Sequence, residues 1–143
     1  MIDRLLSNSM LTLLQKSLDA SALQNKVLDN NIANVDTPGF KRSEVVFQQQ
    51  LKAALDKADS EKGQLQADLT NPKDIPFYSR PDLAGVEPEV VTQNSTSLRN
   101  DGNNVDIDSE MAKLAENQIF YNTVAQITGD EFSDLKSVIT QSH

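Results

Sequence analysis

An oxygen-rich run near residue 105 comes nearest, in this sequence, to a metal-binding or reactive site. Its side-chain oxygens belong to Asp101, Asn103, Asn104, Asp106 and Asp108, and such oxygens are the ligands that Ca²⁺ prefers. The EF-hand pattern fails, because with Gly102 as its turn glycine it requires an acidic residue where Ser97 stands. We therefore expect a glycine turn and a helix N-cap here, with acidic residues near the positive end of the helix dipole, and no metal or cofactor.

Other kinds of chemistry find little support in the composition. The chain has no cysteine, and its one histidine is the last residue, His143, so no histidine-assisted nucleophile can be assembled. No glycine-rich phosphate loop is present. The net charge is −8 and the basic residues are scattered singly, which disfavours nucleic-acid binding. We expect no catalytic residues and no enzyme.

Two helical segments at the ends of the chain must position whatever the protein binds. Both show apolar residues at alternating steps of three and four, the spacing of coiled coils. The stripe of the first segment, about 7–35, is Leu11, Leu14, Leu18, Ser21, Asn25, Leu28, Ile32 and Val35. The last segment begins after an N-cap at Asp106 or Asp108, and its stripe is Met111, Leu114, Gln118, Tyr121, Ala125, Thr128, Phe132, Leu135 and Ile139.

Polar residues interrupt both stripes and leave two interpretations open. They are Ser21, Gln24, Asn25, Asn31 and Gln118. Either they face water and weaken the helix contact, or they are buried and set its register and choice of partner. A second row on the first helix, half apolar and half polar, makes the contact surface wider than that of a two-stranded coiled coil. It consists of Met10, Leu13, Ser17, Ala20, Gln24, Val27 and Asn31.

The middle of the chain is predicted to be less regular. Pro38 and Gly39 suit the central positions of a type II turn, with φ above zero at the glycine. A short helix is predicted from Phe47 to about Gly63, and four prolines follow between residues 72 and 88. Residues 86–91 could form an edge strand. The predicted fold is therefore mainly α: a coiled-coil helix (1–36), a turn, short helix and irregular or small-β middle (37–106), and a second coiled-coil helix (107–143).

The run from Asn31 to Arg42, NIANVDTPGFKR, resembles the signature of bacterial flagellar rod and hook proteins, N-[LI]-A-N-x-x-T-P-G-[FY]-K-R. In that family the signature follows a long N-terminal helix. The residues that match it here are Asn31, Ala33, Asn34, Thr37, Pro38, Gly39, Phe40 and Lys41. The run from Asp101 to Met111, followed by Leu114 to Gln118 and Tyr121, resembles the C-terminal motif of the proximal rod members. The short length agrees, while Gly129-Asp130-Glu131 departs from that pattern.

The resemblance implies a structural subunit of the flagellar basal body that functions in motility. Such a subunit is a substrate of type III export without a cleaved signal peptide. It polymerises in the periplasm with copies of itself, other rod subunits, and the adaptor that links the rod to the export gate. The rod is a hollow helical assembly that transmits torque and passes later exports. No apolar run approaches the length of a membrane span, which is about 20 residues.

Assembly through the terminal helices would use the apolar members of the two stripes. They are Leu11, Leu14, Leu18, Leu28, Ile32 and Val35 on the first helix, and Met111, Leu114, Tyr121, Phe132, Leu135 and Ile139 on the last. The alternative outside the rod is a stand-alone helical binding module or an export chaperone of the flagellar system. A metal-dependent enzyme ranks third, and ion-dependent stabilisation would be its signature.

Overall fold

Two long helices and a small sheet make up most of the computed structural model, which describes residues 9–61, 85–94 and 100–141. In chain order the elements are α1 (Ser9–Ala33), β1 (Ser43–Val46), α2 (Gln48–Glu61), β2 (Glu89–Thr92) and α3 (Ile107–Gln141). The predicted mainly α architecture with long helices near both ends is confirmed. Much of the proline-rich stretch lies outside the described residues, and the coiled-coil geometry and the domain limits stay predictions.

α1 ends two residues before the predicted limit. The helix was expected to reach Val35, but it stops at Ala33. Beyond that point the N–H of Val35 bonds to the carbonyl of Ile32 at 3.3 Å, which tightens the chain into a turn. The residue before Pro38 is excluded from the α region by the proline ring, so the helix cannot continue through Thr37.

α3 begins immediately after Asp106, one of the two predicted caps. The Asp106 carboxylate accepts hydrogen bonds from the N–H groups of Asp108 at 3.1 Å and Ser109 at 3.4 Å. These donors have no partner inside the helix, so the cap supplies what the first turn lacks. Asp108 lies inside the first turn instead, where its negative charge interacts favourably with the positive end of the helix dipole.

The sheet pairs two short strands that are far apart in the chain. β1 and β2 are antiparallel, with Ser43 opposite Thr92 and Val46 opposite Glu89. An edge strand was predicted at residues 86–91, and β2 lies slightly later, over Glu89–Thr92. β1 was not predicted, because its four residues fall between the turn and the short helix and are too few to show an alternation.

α2 and the sheet pack on the middle of α1. Ala20, Phe47 and Val86 are buried together, and Val45, Leu51 and Ala54 pack around them. The short helix predicted after Phe47 is observed as α2, whose first turn is closed by a hydrogen bond from the N–H of Leu51 to the carbonyl of Phe47. This small cluster holds the sheet and α2 against the middle of α1.

α1 and α3 run antiparallel, and the rows that face each other are partly different from the predicted stripes. On α1 the buried residues are Leu14, Ser17, Ala20, Ser21, Leu28 and Asn31, and on α3 they are Glu110, Asn117 and Val124. We call these residues the internal row. On α3 half of the predicted stripe is displaced by one position from it, so Met111, Phe132 and Ile139 are 51%, 53% and 64% exposed. Leu114, Tyr121 and Leu135 are half-buried.

On α1, Leu14 and Leu28 of the predicted stripe are buried, and Leu11, Leu18 and Ile32 are half-buried. The polar second row supplies Ser17 and Asn31 to the internal row. Across the described ranges, none of the helices combines the length and the apolar character that crossing a membrane requires.

Candidate functional site: a polar junction between two distant segments

A polar cluster joins the end of α1 and the signature turn to the loop that leads into α3. We call it the junction; it comprises residues 31–43 and 101–110. The largest completely buried side chains of the described residues all belong to it: Glu110, Asn31, Asn103 and Asn104. Because buried polar groups are costly unless they are hydrogen-bonded, each of them must have specific partners.

Asn31 holds three elements together. Its Nδ2 donates to the carbonyl of Ser43 at 2.8 Å and to Oε2 of Glu110 at 2.8 Å. Its Oδ1 accepts from the N–H of Ser43 at 3.0 Å. The amide thus pairs with the backbone of Ser43 as a neighbouring strand would, while its second N–H reaches α3. No other side chain has this pair of donors and an acceptor on such a short stem.

Glu110 is a buried carboxylate with basic and amide partners. Its side chain is 1% exposed, and Oε1 lies 3.2 Å from Nε of Arg42 in an ion pair without hydrogen-bond geometry. Lys113 stands 3.9 Å from the same oxygen. Arg42 also bonds to Glu44 at 3.2 Å and to Gln93 at 3.4 Å, so its guanidinium links α3 to both strands. Removing one member of such a group leaves an uncompensated buried charge.

Asn103 closes the C-terminal end of α1. Its Nδ2 lies 2.9–3.0 Å from the carbonyl oxygens of Asn34, Val35 and Thr37. Its Oδ1 accepts from the N–H of Val105 at 2.7 Å. The carbonyls that follow a helix have no intrahelical partner, so a side chain from about 70 residues away caps them.

Asn104 completes the sheet beyond the ends of the strands. Its Oδ1 accepts from the N–H of Arg42 at 2.7 Å, and its Nδ2 donates to the carbonyl of Gln93 at 2.8 Å. The reverse bond, from the N–H of Gln93 to the carbonyl of Arg42, is direct and 2.9 Å long. The Asn104 amide therefore bridges Arg42 and Gln93, and it extends the hydrogen-bond ladder of the sheet by one residue pair.

The signature turn meets the loop backbone to backbone. Gly39 has φ 72° and the N–H of Phe40 bonds to the carbonyl of Thr37 at 3.3 Å, in agreement with the predicted type II turn. The N–H of Gly39 donates to the carbonyl of Asp101 at 2.9 Å. Gly102 has φ 83°, and a Cβ built on it would stand 3.6 Å from Cα of Gly39. Two left-handed glycines thus let the two segments approach closely.

The matched signature residues have different surroundings. Asn31 is buried, Asn34, Phe40 and Lys41 are half-buried, and Ala33, Thr37, Pro38 and Gly39 are exposed. Lys41 reaches the loop, where its Nζ donates to the carbonyl of Gly102 at 2.7 Å. Six of the eight form hydrogen bonds within the junction or its turn: Asn31, Asn34, Thr37, Gly39, Phe40 and Lys41.

The oxygen-rich run is used for capping. Asn103 and Asn104 bond to backbone groups, and Asp106 caps α3. In the part of the chain that the structure describes, no three histidine, cysteine, aspartate or glutamate residues are grouped as a metal would require. The hydrogen bonds of the run join distant segments of the chain.

A second polar contact lies further along the internal row. Asn117 Nδ2 donates to the carbonyl of Ser21 at 2.9 Å and to Oδ1 of Asn25 at 2.9 Å, and the Ser21 hydroxyl donates to Asn117 Oδ1 at 2.9 Å. Of the two interpretations of the polar stripe positions, burial with specific partners holds for Ser21 and Asn31. Gln118 is exposed and bonds to Asn122 on its own helix.

The sequence places Arg42, Glu110 and Asn117 inside the runs that resemble the family, but it predicted no role for any of them. A glutamate in the first turn of a helix, such as Glu110, is usually exposed to solvent and interacts with the helix dipole. The residues next to Glu110 in the sequence do not indicate that it is buried. The usable signal was the end of α1, which has no basic residue in its last turn and no glycine immediately after it. Uncapped carbonyls at that point require a donor from elsewhere in the chain.

Beside the junction, a groove of about 630 Å³ runs between α3 on one side and β1 with the start of α2 on the other. Its floor is the small-residue part of α1, with Ser17, Ala20 and Ser21, and Phe120 forms part of the α3 wall. Glu44, Lys113 and Glu116 supply its charges.

Comparisons with known proteins identify relatives over most of the length of the chain. The profile of the flagella basal body rod protein family matches residues 16–41, which include most of α1 and the signature turn. The flagellar basal body rod protein FlgB of Borrelia hermsii is 37% identical over 89% of this chain and 93% of its own length. FlgB of Bacillus subtilis is 35% identical over 89% of this chain and 90% of its own. FlgB of Salmonella typhimurium is 30% identical over 97% of each.

Proposed function

The chain belongs to the flagellar basal body rod protein family represented by these FlgB proteins, and we propose that it is a structural subunit of the proximal rod rather than an enzyme. The shared length supports this proposal, because the relatives match from near one end to near the other. The junction gives such a subunit a fixed geometry at one end of its long helix pair.

The observation that carries the proposal is the exposed apolar side of α3. Met111, Phe132 and Ile139 are more than half exposed and share one face of α3, because they are spaced at multiples of seven residues; Ile119 at 68% and Val138 at 69% are exposed on other faces of the helix. Single exposed apolar residues are ordinary, but a series of large ones along one helix marks a surface that a partner covers. In a rod, that partner would be a neighbouring subunit.

We infer the mode of assembly from the positions of the predicted packing residues. Leu11, Leu14, Leu18 and Leu28 face inward to different degrees, whereas the displaced half of the α3 stripe faces outward. Internal and external contacts therefore use different rows of α3. Repeating the external contact head to tail would build a helical wall, since a heterologous contact propagates until symmetry closes it.

The remaining elements of the proposal follow the family resemblance. The subunit would be exported without a cleaved signal peptide, assemble in the periplasm, and contact other rod subunits and the adaptor at the export gate. The assembled shaft would transmit torque and leave a central channel for later exports. Coiled-coil packing of the terminal helices would form its wall.

High-resolution electron microscopy of basal bodies purified from the source organism tests this proposal. We expect density for this chain at the membrane-proximal end of the rod, with α1 and α3 in the wall and Phe132 against a neighbour. A position further out along the rod would refute the proximal assignment. Absence from the basal body would favour the export chaperone or binding module.

A further inference from the structure

We propose that the junction is a folding lock: residues 34–43 acquire their conformation only when residues 101–110 dock on them, and the docking segment is ordered by the same contacts. The two segments are then one cooperative unit. This inference concerns how the fold closes, and it stands whether or not the protein is a rod subunit.

The first support is the origin of the caps. The end of α1 receives its donor from Asn103, across sequence separations of 66–69 residues. Gly39 donates to Asp101, and Arg42 donates to Asn104 across 62 residues. The local bonds of this segment include the turn bond of Phe40 and the bonds that involve Asn34, Val35 and Thr37, and none of these fixes the position of Gly39 or Arg42.

The second support is the weakness of α1 without its distant partners. In proteins most of the stability of a helix comes from the packing of one of its faces and not from its intrinsic propensity. The face that α1 buries near its end includes Asn31, whose amide needs both Ser43 and Glu110 to be satisfied. A buried amide that lacks one of these partners is destabilising. Conformations in which only one of the two segments contacts Asn31 are therefore less stable than the fully docked one.

The third support is that residues 101–105 are held by hydrogen bonds among themselves. The N–H of Asn103 bonds to Oδ1 of Asp101 at 3.1 Å, and the N–H of Val105 bonds to Oδ1 of Asn103 at 2.7 Å. These bonds orient the Asn103 Nδ2 toward the α1 carbonyls. A chain made from its N-terminus therefore has the carbonyls at the end of α1 long before the Asn103 side chain that caps them.

The test is hydrogen exchange on the full chain carrying Asn103→Asp. The substituted side chain keeps an oxygen for the N–H of Val105 but turns an acceptor toward three carbonyls. The control is Asn100→Asp, which makes the same charge change at an exposed position in the same loop. We expect the amides of Arg42 and Ser43, which do not bond to residue 103, to exchange at least about tenfold faster in Asn103→Asp only.

The amide of Ala54 in α2 serves as an internal reference in the same samples, and its exchange should change little. Unchanged exchange at Arg42 and Ser43 would overturn the lock, because the effect of residue 103 would then be confined to its own contacts. Equal acceleration in the Asn100→Asp control would overturn it as well, since added charge alone would explain the result.

A milder substitution decides the question if Asn103→Asp unfolds the chain. Gly39→Ala puts a Cβ at a position with φ 72° and no atom within 4 Å, so it strains the turn without a clash. We expect the amides of Val105 and Glu110, more than 60 residues away, to exchange on the order of fivefold faster. Acceleration limited to residues near Gly39 would show that the two segments fold independently and would overturn the proposal.

Discussion

Asn31 and Glu110, 79 positions apart in the chain, meet through a 2.8 Å hydrogen bond at which neither side chain is more than 1% exposed. The bond joins the last turn of α1 to the first turn of α3. Since Arg42 and Ser43 complete the partners of the two side chains, the stability of this end of the molecule depends on an amide at position 31.

Replacing that amide by a carboxylate should be severely destabilising. In Asn31→Asp an acidic oxygen would face Glu110 and the carbonyl of Ser43 in place of a donor. We expect the free energy of unfolding to fall by about 3 kcal/mol or more, as when a buried charge loses its partner. Urea unfolding followed by circular dichroism measures it.

The matched control is Asn30→Asp, which makes the same change at the adjacent exposed residue. The double variant Asn31→Asp with Glu110→Gln should recover part of the loss, because the glutamine can donate to the new carboxylate. Equal stability of the two single variants would contradict the assigned contacts.

The left-handed conformation of Gly39 gives a second prediction. A valine there should cost more than about 1 kcal/mol and redirect the chain after α1, because a β-branched residue is strained at positive φ. Gly85→Val is the control, since Gly85 lacks a positive φ and has no atom within 4 Å of a built Cβ. Thermal unfolding and a swimming assay should both be impaired for Gly39→Val. A Gly39→Val strain that swims normally would argue against the turn.

The exposed side of α3 separates folding from assembly. Phe132→Asp removes an apolar side chain that is 53% exposed, so the free energy of unfolding of the isolated chain should change by no more than about 0.5 kcal/mol. If a neighbour covers Phe132, the same substitution should abolish swimming. Ser133→Asp, at the next exposed position, should leave both properties near those of the original chain. A motile Phe132→Asp strain would place the assembly contact elsewhere.

The two ends of the helix pair should differ in stability before assembly. The junction holds one end through buried polar contacts, whereas Leu11 is only half-buried and Ile139 is 64% exposed near the opposite ends of the two helices. Hydrogen exchange of the isolated subunit should therefore show protection that decreases from the junction toward Leu11 and Ile139. Strong protection throughout residues 11–35 and 111–139 would contradict this prediction.

The helices and the turn were predictable because their signals are local. Asp106 has the side chain of an N-cap, and Pro38-Gly39 permits few backbone conformations. The periodic apolar residues identified both long helices, although half of the α3 stripe lies one position away from the internal row. Periodicity alone does not say which row faces the same chain and which faces a neighbour, and here the more polar row lies inside.

The junction was less predictable because its members act across the chain. Asn103 and Asn104 were noted as oxygen-bearing residues, but their roles depend on carbonyls and strands more than 10 residues away. Glu110 gives no local sign of burial, since Arg42 and Asn31 come to it only through the turn. β1 escaped prediction because most of its pairing information lies in β2, about 45 residues later.

The hydrogen bonds of the helix pair have a mechanical consequence. Contacts at Asn31–Glu110 and Ser21–Asn117 lie ten residues apart on α1, or about 15 Å along its axis. A register shift of seven residues between α1 and α3 would put Val124 beside Ser21 and separate Glu110 from Arg42. Such a shift therefore has an electrostatic cost that a purely apolar interface would not impose. Because the two polar contacts lie at different heights along α1, they also oppose rotation of either helix about its own axis. If the subunit is built into a rod as proposed, these contacts would let the helix pair deform elastically under twist without a permanent shift in register.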